Sequence, residues 1–294
     1  MINNQRNIKR RNKLKYLRNI MGDKKLNSLL SYRNLGYFPN LKNPETFNEK
    51  IQWIKLNANI ENLGRFVDKY TVREYVSDNL GKDYLIPLIK VIESDKEIEF
   101  HNLPKSFIMK ASHTSGYNYI VNDLKKEDFN KLKEISSQWL KINYYLETGE
   151  RNYKNIKPNI VIEELISDEE DLIEYKVHCY EGVPKIIQVN GNENNVRKGN
   201  YYTAKWEKLP FYKGTPAFKK EPKKPKELSE IILAAKKLSS VFLYVRVDLY
   251  CVSGKIYFGE LTFTPSGGLA KFSDKYYDYL MGSFLEIQRE ILIK

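Results

Sequence analysis

The chain has 294 residues, 41% of them hydrophobic and 29% charged, which is enough apolar material for one large domain or two to three small packed ones. Its 49 Lys and Arg against 37 Asp and Glu leave a net charge of +12, which favours acidic partners such as nucleotides, anionic polymers, nucleic acid or a lipid surface. Cys179 and Cys251 are the only cysteines and have no zinc or CxxC spacing, no apolar run approaches the roughly 18–20 residues of a membrane span, and the N-terminus lacks a signal-peptide core. A soluble cytoplasmic protein without a disulfide scaffold is therefore expected.

Residues 3–31 carry Arg6, Lys9, Arg10, Arg11, Lys13, Lys15 and Arg18 interleaved with Ile8, Leu14, Leu17 and Ile20, a spacing that predicts an amphipathic helix. It can pack on the body as a solvated helix or act as an electrostatic tether to anionic lipid or an acidic polymer, at the inner face of a membrane. Asn43-Pro44 marks a turn, and Thr46 followed by Glu49 reads as a capping box opening a helix through Leu56.

The stretch FIMKASHTSGYNYIV, residues 107–121, reads as a strand, a small polar loop over residues 112–118 and a returning strand. A loop of this kind lets backbone N–H groups and hydroxyls approach a phosphate, with Lys110 as a point charge, although an ordinary hairpin loop has the same composition. The Walker order G-x-x-x-x-G-K-S/T is absent, and His113 has no neighbouring ligand pair.

A polar helical region is predicted over residues 125–147, and NIVIEELI, residues 159–166, reads as a buried strand ending in acids. Acid-rich residues 167–174 lead into YKVHCYEGVPKIIQVN, a hairpin turning at Gly182-Val183-Pro184. Residues 191–225 are Gly/Asn-rich and then Lys/Pro-rich, with Arg197, Lys198 and Lys205 as free positive charges, and read as a mobile segment over a cleft. Helices are predicted over residues 228–242 and 276–292.

Between those helices lies YVRVDLYCVSGKIYFGELTFTPSGG, residues 244–268, whose two strand-like runs carry charges where half-buried strands normally carry none. With a period of two, Arg246 and Asp248 share a face of the first run, and Glu260 and Thr262 share a face of the second. A two-residue turn at Ser253-Gly254 would set Glu260 opposite Val247. A three-residue loop over residues 252–254, with Gly254 left-handed, sets it opposite Arg246, and this is the expected form because it gathers all four side chains on one surface. Two carboxylates there need a cation, and hard oxygen donors suit Mg²⁺. A salt-bridged hairpin in which Arg246 neutralises both acids is the alternative.

The pattern R-x-D, turn, E-x-T and a Gly-containing loop resembles the metal-binding hairpin of ATP-grasp enzymes, which join a carboxylate to an amine at the expense of ATP. FNEKIQW, DKYTVREYV, FIMKASHTSG, VDLY and GELTFTP extend the likeness over most of the chain to the TupA-like branch, associated with cell-surface polysaccharide biosynthesis. The resemblance implies an α+β ATP-grasp fold in which two α+β subdomains clamp ATP behind a short, mainly helical N-terminal segment. The divisions are residues 1–60 for the basic helical segment, 61–158 for the subdomain with the phosphate loop, and 159–294 for the subdomain with the adenine hinge and metal hairpin. One departure is that only 68 residues precede Lys69, where most relatives place a full Rossmann-like domain.

By resemblance, Asp248 and Glu260 bind Mg²⁺, with Thr262 where the family usually has Asn. Lys69 and Lys110 hold the phosphates of ATP, helped by Ser112, His113, Ser115 and Gly116. Glu163, Glu164 and Ile166 lie on the adenine hinge, Glu174 binds the ribose, and Lys110 and Arg246 are catalytic, Arg246 acting on charge developed in acyl transfer. The implied reaction passes through an acyl phosphate to an amide. Its partners are a hexuronic acid in a surface or capsular polysaccharide or a nucleotide-sugar precursor, and an amino acid or small amine; nucleic acid is not expected. The rivals are an ATP-grasp kinase acting on a glycan-related acceptor and a non-catalytic polyanion-binding module, which would bind with steep salt dependence and turn over no ATP.

Overall fold

The computed structural model describes residues 2–166 and 172–291, with side chains from residue 11 onward. Helix α1 (Ile2–Leu35) is broken at Gly22, whose φ of 72° and ψ of 167° no helix accommodates. Arg11 stacks over the Tyr117 ring at 4.1 Å and pairs with Glu147 at 3.4 Å. Arg18 is buried and bonds Asp23 and the Leu146 carbonyl, each at 2.7 Å. Two of the basic residues assigned to an anionic surface thus fasten the helix to the body. Among the described residues, no helix is long and apolar enough to cross a membrane.

Helix α2 (Phe47–Asn57) opens with the expected capping box: Thr46 Oγ1 accepts from the Glu49 N–H at 3.2 Å, and the Glu49 carboxylate accepts from the Thr46 N–H at 3.2 Å. After α3 (Gly64–Val67) and α4 (Val72–Leu80), the chain builds β1 (Leu88–Ile92), β2 (Phe107–Ala111) and β3 (Asn118–Val121). Two helices follow, α5 (Phe129–Leu140) and α6 (Tyr144–Thr148). Strand β4 (Ile160–Glu163) then inserts between β1 and β2, completing an all-antiparallel sheet in the order β1-β4-β2-β3. The sequence reading sets β4 at the start of the second subdomain, whereas its hydrogen bonds belong to the first sheet.

Alternation in β2 buries Phe107, Met109 and Ala111 against the small core that includes Leu132 of α5, and leaves Ile108 and Lys110 half-buried on the opposite face. The second sheet, also antiparallel, has the order β10-β9-β5-β6-β7-β8. Its strands are β5 (Glu174–Tyr180), β6 (Val183–Glu193), β7 (Val196–Thr203), β8 (Lys208–Leu209), β9 (Tyr244–Val252) and β10 (Lys255–Thr262). Helix α7 (Leu228–Ser239) covers one face through Ile231, Ala235 and Leu238 against Val177, Cys179, Val245 and Val247. The even-numbered side chains of β9 point the other way.

Two expectations fail here. The segment over residues 191–225 is not a mobile cover: residues 191–209 complete β6 and form β7 and β8. The last helix, α8 (Lys275–Ser283), stops well short of residue 292, and Leu292 lies outside the described residues.

The loop after β10 is held against α2. Gly268 has φ +70°, and a Cβ there would sit 2.6 Å from the Asn48 carbonyl oxygen, so only glycine lets the turn at Pro265–Gly268 meet the helix. Gln52 donates to the Gly268 carbonyl at 2.9 Å and Lys55 to that of Gly267 at 2.9 Å.

Candidate functional site

The β9-β10 hairpin turns in two residues, Ser253 (φ 51°) and Gly254 (φ 80°), and not in the expected three-residue loop. A plain two-residue hairpin would set Glu260 opposite Val247, but the register shifts between Phe258 and Glu260, where Gly259 forms a bulge. Glu260 therefore pairs with Asp248 and Thr262 with Arg246, and all four side chains share the face away from α7.

On that face Arg246 Nε donates to Asp248 Oδ1 at 2.6 Å and Nη2 to Oδ2 at 2.7 Å. The same Nη2 reaches Glu260 at 3.3 Å and the Thr262 hydroxyl at 3.0 Å. Lys176, directly across the β5-β9 ladder from Asp248, donates to Oδ2 at 2.5 Å. Burial pushes the Asp248 carboxyl up, but the charges of Arg246 and Lys176 outweigh it and hold the group below its ordinary range. Asp248 is completely buried behind these cations, whereas the Glu260 side chain keeps a quarter of its surface exposed.

Glu174, at the start of β5, bonds Lys176 at 2.8 Å and Arg197 at 2.6 Å, so Arg197 is not the free charge that the sequence reading makes it. Glu174, Arg197 and Tyr250 form one wall of a cleft of about 670 Å³. Ile108, Lys110, Asn118 and Ile120 of the first sheet form the other wall, and residues 164–166 close its end. A lining that mixes apolar side chains such as Ile86, Ile108, Ile120 and Leu165 with charged ones such as Lys110, Glu174 and Arg197 suits a heterocycle joined to an anion.

Within the expected hinge, Glu163 lies inside the sheet, paired with Leu88 and Ile108 on its two sides, and the Glu164 N–H is taken by the Pro87 carbonyl at 3.0 Å. Leu165 and Ile166, beyond these backbone bonds, line the cleft. The Glu163 carboxylate receives Lys110 at 2.7 Å and Arg73 at 2.8 Å. Of the acid-rich residues before Glu174, 167–171 lie outside the described residues.

The phosphate-loop assignment divides in the structure. Ser115 and Gly116 (φ +77°) sit at the tip of the β2-β3 loop, but Ser112 and His113 are buried beneath it. Ser112 donates to Asp68 at 2.6 Å, and Asp68 in turn accepts from the N–H groups of Tyr70 and Thr71 at 3.0 and 2.8 Å. Ser112 is thus tied to the start of α4 and turned from the cleft. His113 is 2% exposed, its ring faces the backbone at Trp139 and Asn159, and burial lowers its pKa. Lys69 donates to the Thr114 carbonyl, within the field of Glu260, Lys110 and Glu163, and its pKa is lowered mainly by burial.

Sequence reasoning missed Lys176, His178 and Arg73. Glu174, Lys176 and His178 alternate along β5 as Arg246 and Asp248 do along β9, so the same period of two could have found Lys176 and His178, whereas Arg73 lies on helix α4 and carried no such signal.

A search of curated proteins finds no match. Among solved structures the fold is similar to that of D-alanine–D-alanine ligase from Bacillus anthracis in complex with ATP, at 17% identity over 71% of this chain and 58% of that one, with a TM-score of 0.44. It is also similar to D-alanine–D-alanine ligase from Helicobacter pylori (15% identity, 76% of this chain, 59% of that one, TM-score 0.40) and to D-cycloserine synthetase DcsG (14%, 74%, 69%, 0.40). The match spans less than two thirds of the length of either D-alanine–D-alanine ligase. The family model for TupA-like ATP-grasp proteins matches residues 49–286, from α2 through both sheets to the segment after α8, and the chain belongs to that family, with the ATP-grasp fold its motifs imply.

Proposed function

We propose that the protein is an ATP-dependent carboxylate–amine ligase, with a hexuronic acid of a surface or capsular polysaccharide or its precursor as the carboxylate and an amino acid or small amino alcohol as the amine. The observation that carries this reading is the gathering of Arg246, Asp248, Glu260 and Thr262 on one face of the second sheet, with Lys69 within the field of Glu260 and Lys110. Family membership and the two-walled cleft support ATP and Mg²⁺ as cofactors. The donor set fits Mg²⁺, since all of its atoms are hard oxygens. Glu260, a quarter exposed, and Asp248, whose oxygens Arg246 and Lys176 now hold, would be the residues that hold the ion. When bound, the metal neutralises charge on the transferring phosphate.

The chain's own groups do the rest. Leu165 and Ile166 read the adenine edge, Glu174 takes the ribose, and Lys69 and Lys110 meet the phosphates near the Ser115-Gly116 loop tip. Lys110 leaves Glu163 at small cost, because Arg73 still holds that carboxylate at 2.8 Å. Arg246, once drawn from Asp248, offers its planar fork to the oxygens of the acyl phosphate and of the tetrahedral intermediate formed as the amine attacks. The exposed lysines of α1, Lys13 and Lys15, supply an approach surface for an acidic glycan or lipid.

The test is incubation with ATP, Mg²⁺, glucuronic or galacturonic acid forms and an amine panel, read by mass spectrometry. An amide-linked product supports the ligase, and a stable phosphorylated acceptor would replace it by a kinase.

A further inference from the structure

Positive charge is concentrated at one end of the chain. Residues 1–44 hold 11 Lys and Arg and a single acid, Asp23, a net of +10 out of +12, so residues 45–294 are left nearly neutral at +2. Asp23 is engaged within the protein, accepting from Arg18 Nε and from the Tyr145 hydroxyl, each at 2.7 Å. Helix α1 is clamped to the body by one side: through Arg11 and Arg18 before the break at Gly22, and after it through the buried Leu26 and through Asn27, which donates to Gln52 at 2.7 Å. Its other side carries apolar groups as well as cations. Before the break, Lys13, Tyr16 and Ile20 follow one another at one-turn intervals opposite the buried Arg18, and Tyr16 and Ile20 are 65% and 64% exposed. After it, Lys25, Leu29 and Arg33 do the same opposite the buried Asn27 and Ser31, with Tyr32 beside them. The Tyr32 ring stacks on Phe38 with centroids 4.9 Å apart, yet the pair stands in solvent, 54% and 64% exposed. Cations alone suit any polyanion in water, but Ile20 and Leu29 gain little from a hydrated polymer. An anionic bilayer takes both kinds of group: Lys and Arg at the headgroups, Tyr at the interface, and Ile, Leu and Phe at the acyl boundary.

We propose that the outward side of α1, together with Phe38, docks the protein on an anionic phospholipid bilayer. Lys13, Lys24, Lys25 and Arg33 meet the lipid phosphates, while Ile20, Leu29, Tyr32 and Phe38 enter the headgroup region. The opposite side of the helix stays fastened through Arg18 and Asn27, so docking requires no release or refolding of α1. This selects lipid over acidic glycan as the partner of the basic helix, and it goes beyond the ligase reading without depending on it.

The experiment measures co-sedimentation of the full chain with vesicles of phosphatidylcholine alone and of phosphatidylcholine mixed with phosphatidylglycerol, with soluble polygalacturonate and single-stranded DNA as competitors at equal charge concentration. Two triple variants of exposed residues separate the contributions: Ile20→Ser with Leu29→Ser and Phe38→Ser, and Lys13→Gln with Lys24→Gln and Lys25→Gln. Wild type should bind the phosphatidylglycerol vesicles roughly tenfold or more above phosphatidylcholine alone and should not be displaced by either polymer. Each triple variant should lose roughly tenfold or more of that affinity while keeping the wild-type melting point and the thermal shift given by ATP and Mg²⁺. If a triple variant melts lower, the single variants Ile20→Ser and Lys25→Gln carry the same test, with an expected loss of about threefold each. Absence of binding to phosphatidylglycerol vesicles, an apolar variant that binds them as well as wild type, or displacement of wild type by polygalacturonate or DNA would each overturn the proposal. Absence of a nucleotide shift in wild type would instead strike the ligase reading, so the two failures are separable.

Discussion

Asp248→Asn isolates what holds the β9-β10 hairpin together before any ligand arrives. The substitution keeps shape and volume but removes the negative charge from a side chain that is 0% exposed, facing Arg246 at 2.6 and 2.7 Å and Lys176 at 2.5 Å. Breaking a buried ion pair by removing one partner costs about 3–5 kcal/mol, because the remaining charge stays buried and unpaired. Glu260 still touches Arg246 at 3.3 Å and Glu174 still touches Lys176 at 2.8 Å, which places the loss near the lower end, about 3 kcal/mol. For a chain of 294 residues the unfolding entropy is on the order of 0.6 kcal/mol per kelvin, so the melting temperature should fall by about 5 °C.

The direction of the Asp248 shift gives an independent check. Its folded pKa lies below the unfolded value of 3.8, so the stability it contributes is present above pH 3.8 and is lost as pH falls through the folded value. The difference between wild type and Asp248→Asn should close in that acid window. Thermal melts of wild type, Asp248→Asn, Arg246→Gln and the double variant form a cycle, in which the double variant should recover at least about 1 kcal/mol of the summed single losses. Wild-type melting of Asp248→Asn at pH 7 would show that the buried cluster adds no net stability and that the reasoning from its geometry is wrong.

Arg246→Lys keeps the charge but loses the fork, and amide formation should fall by roughly 10² with nucleotide affinity retained, as measured by coupled phosphate release and product mass; full amide yield would remove Arg246 from acyl transfer. Lys110→Ala should weaken ATP binding by roughly tenfold or more in a fluorescence titration while the ligand-free melting point moves little, because Arg73 still neutralises Glu163. Burial lowers the Lys213 pKa from 10.5 to about 7, with Asp278 raising it and Arg246 lowering it further. The unfolded chain therefore binds the extra proton between those values, and Lys213 makes stability rise with pH across that window, by up to about 5 kcal/mol; this part of the pH profile should be absent from Lys213→Met in pH-resolved melts.

The β9-β10 hairpin was legible because of parity. Side chains alternate with a period of two, so a one-residue offset from a plain two-residue hairpin, in either direction, brings Glu260 and Thr262 to the face of Arg246 and Asp248. The sequence reading placed the offset in a three-residue loop, whereas the structure places it in a bulge at Gly259 and keeps the tight Ser253-Gly254 turn. An isolated glycine inside a strand pattern is a bulge signal, and it was available. The opposite error occurred over residues 191–209, where glycine was taken as a mark of mobility. A Cβ on Gly191 would lie 2.7 Å from Ile173 Cδ1, and one on Gly199 would lie 2.7 Å from Asn190 Oδ1, so both glycines mark close packing within the sheet region.

Lys213 had no comparable signal, because nothing in FYKG separates it from the other lysines of a basic loop. Its character comes from Phe47, 166 residues before it, and Phe272, 59 residues after it, whose rings close over the ammonium once α2 docks on the turn after β10. That docking depends on Gly268, where a Cβ would collide with the Asn48 carbonyl at 2.6 Å. The residues that identify the family are local motifs on α2, around α4 and on two hairpins, but the surroundings of Lys213 exist only after α2, the second sheet and the Gly268 turn have met. The surroundings of Lys213 can therefore change through a position such as Phe272 while every motif residue stays in place. Replacing Phe272 by Leu removes one of the two rings over the Lys213 ammonium and should alter the Lys213 part of the pH profile in the same pH-resolved melts while leaving the thermal shift given by ATP and Mg²⁺ unchanged; an unchanged pH profile would mean that the ring contact does not set the character of this lysine.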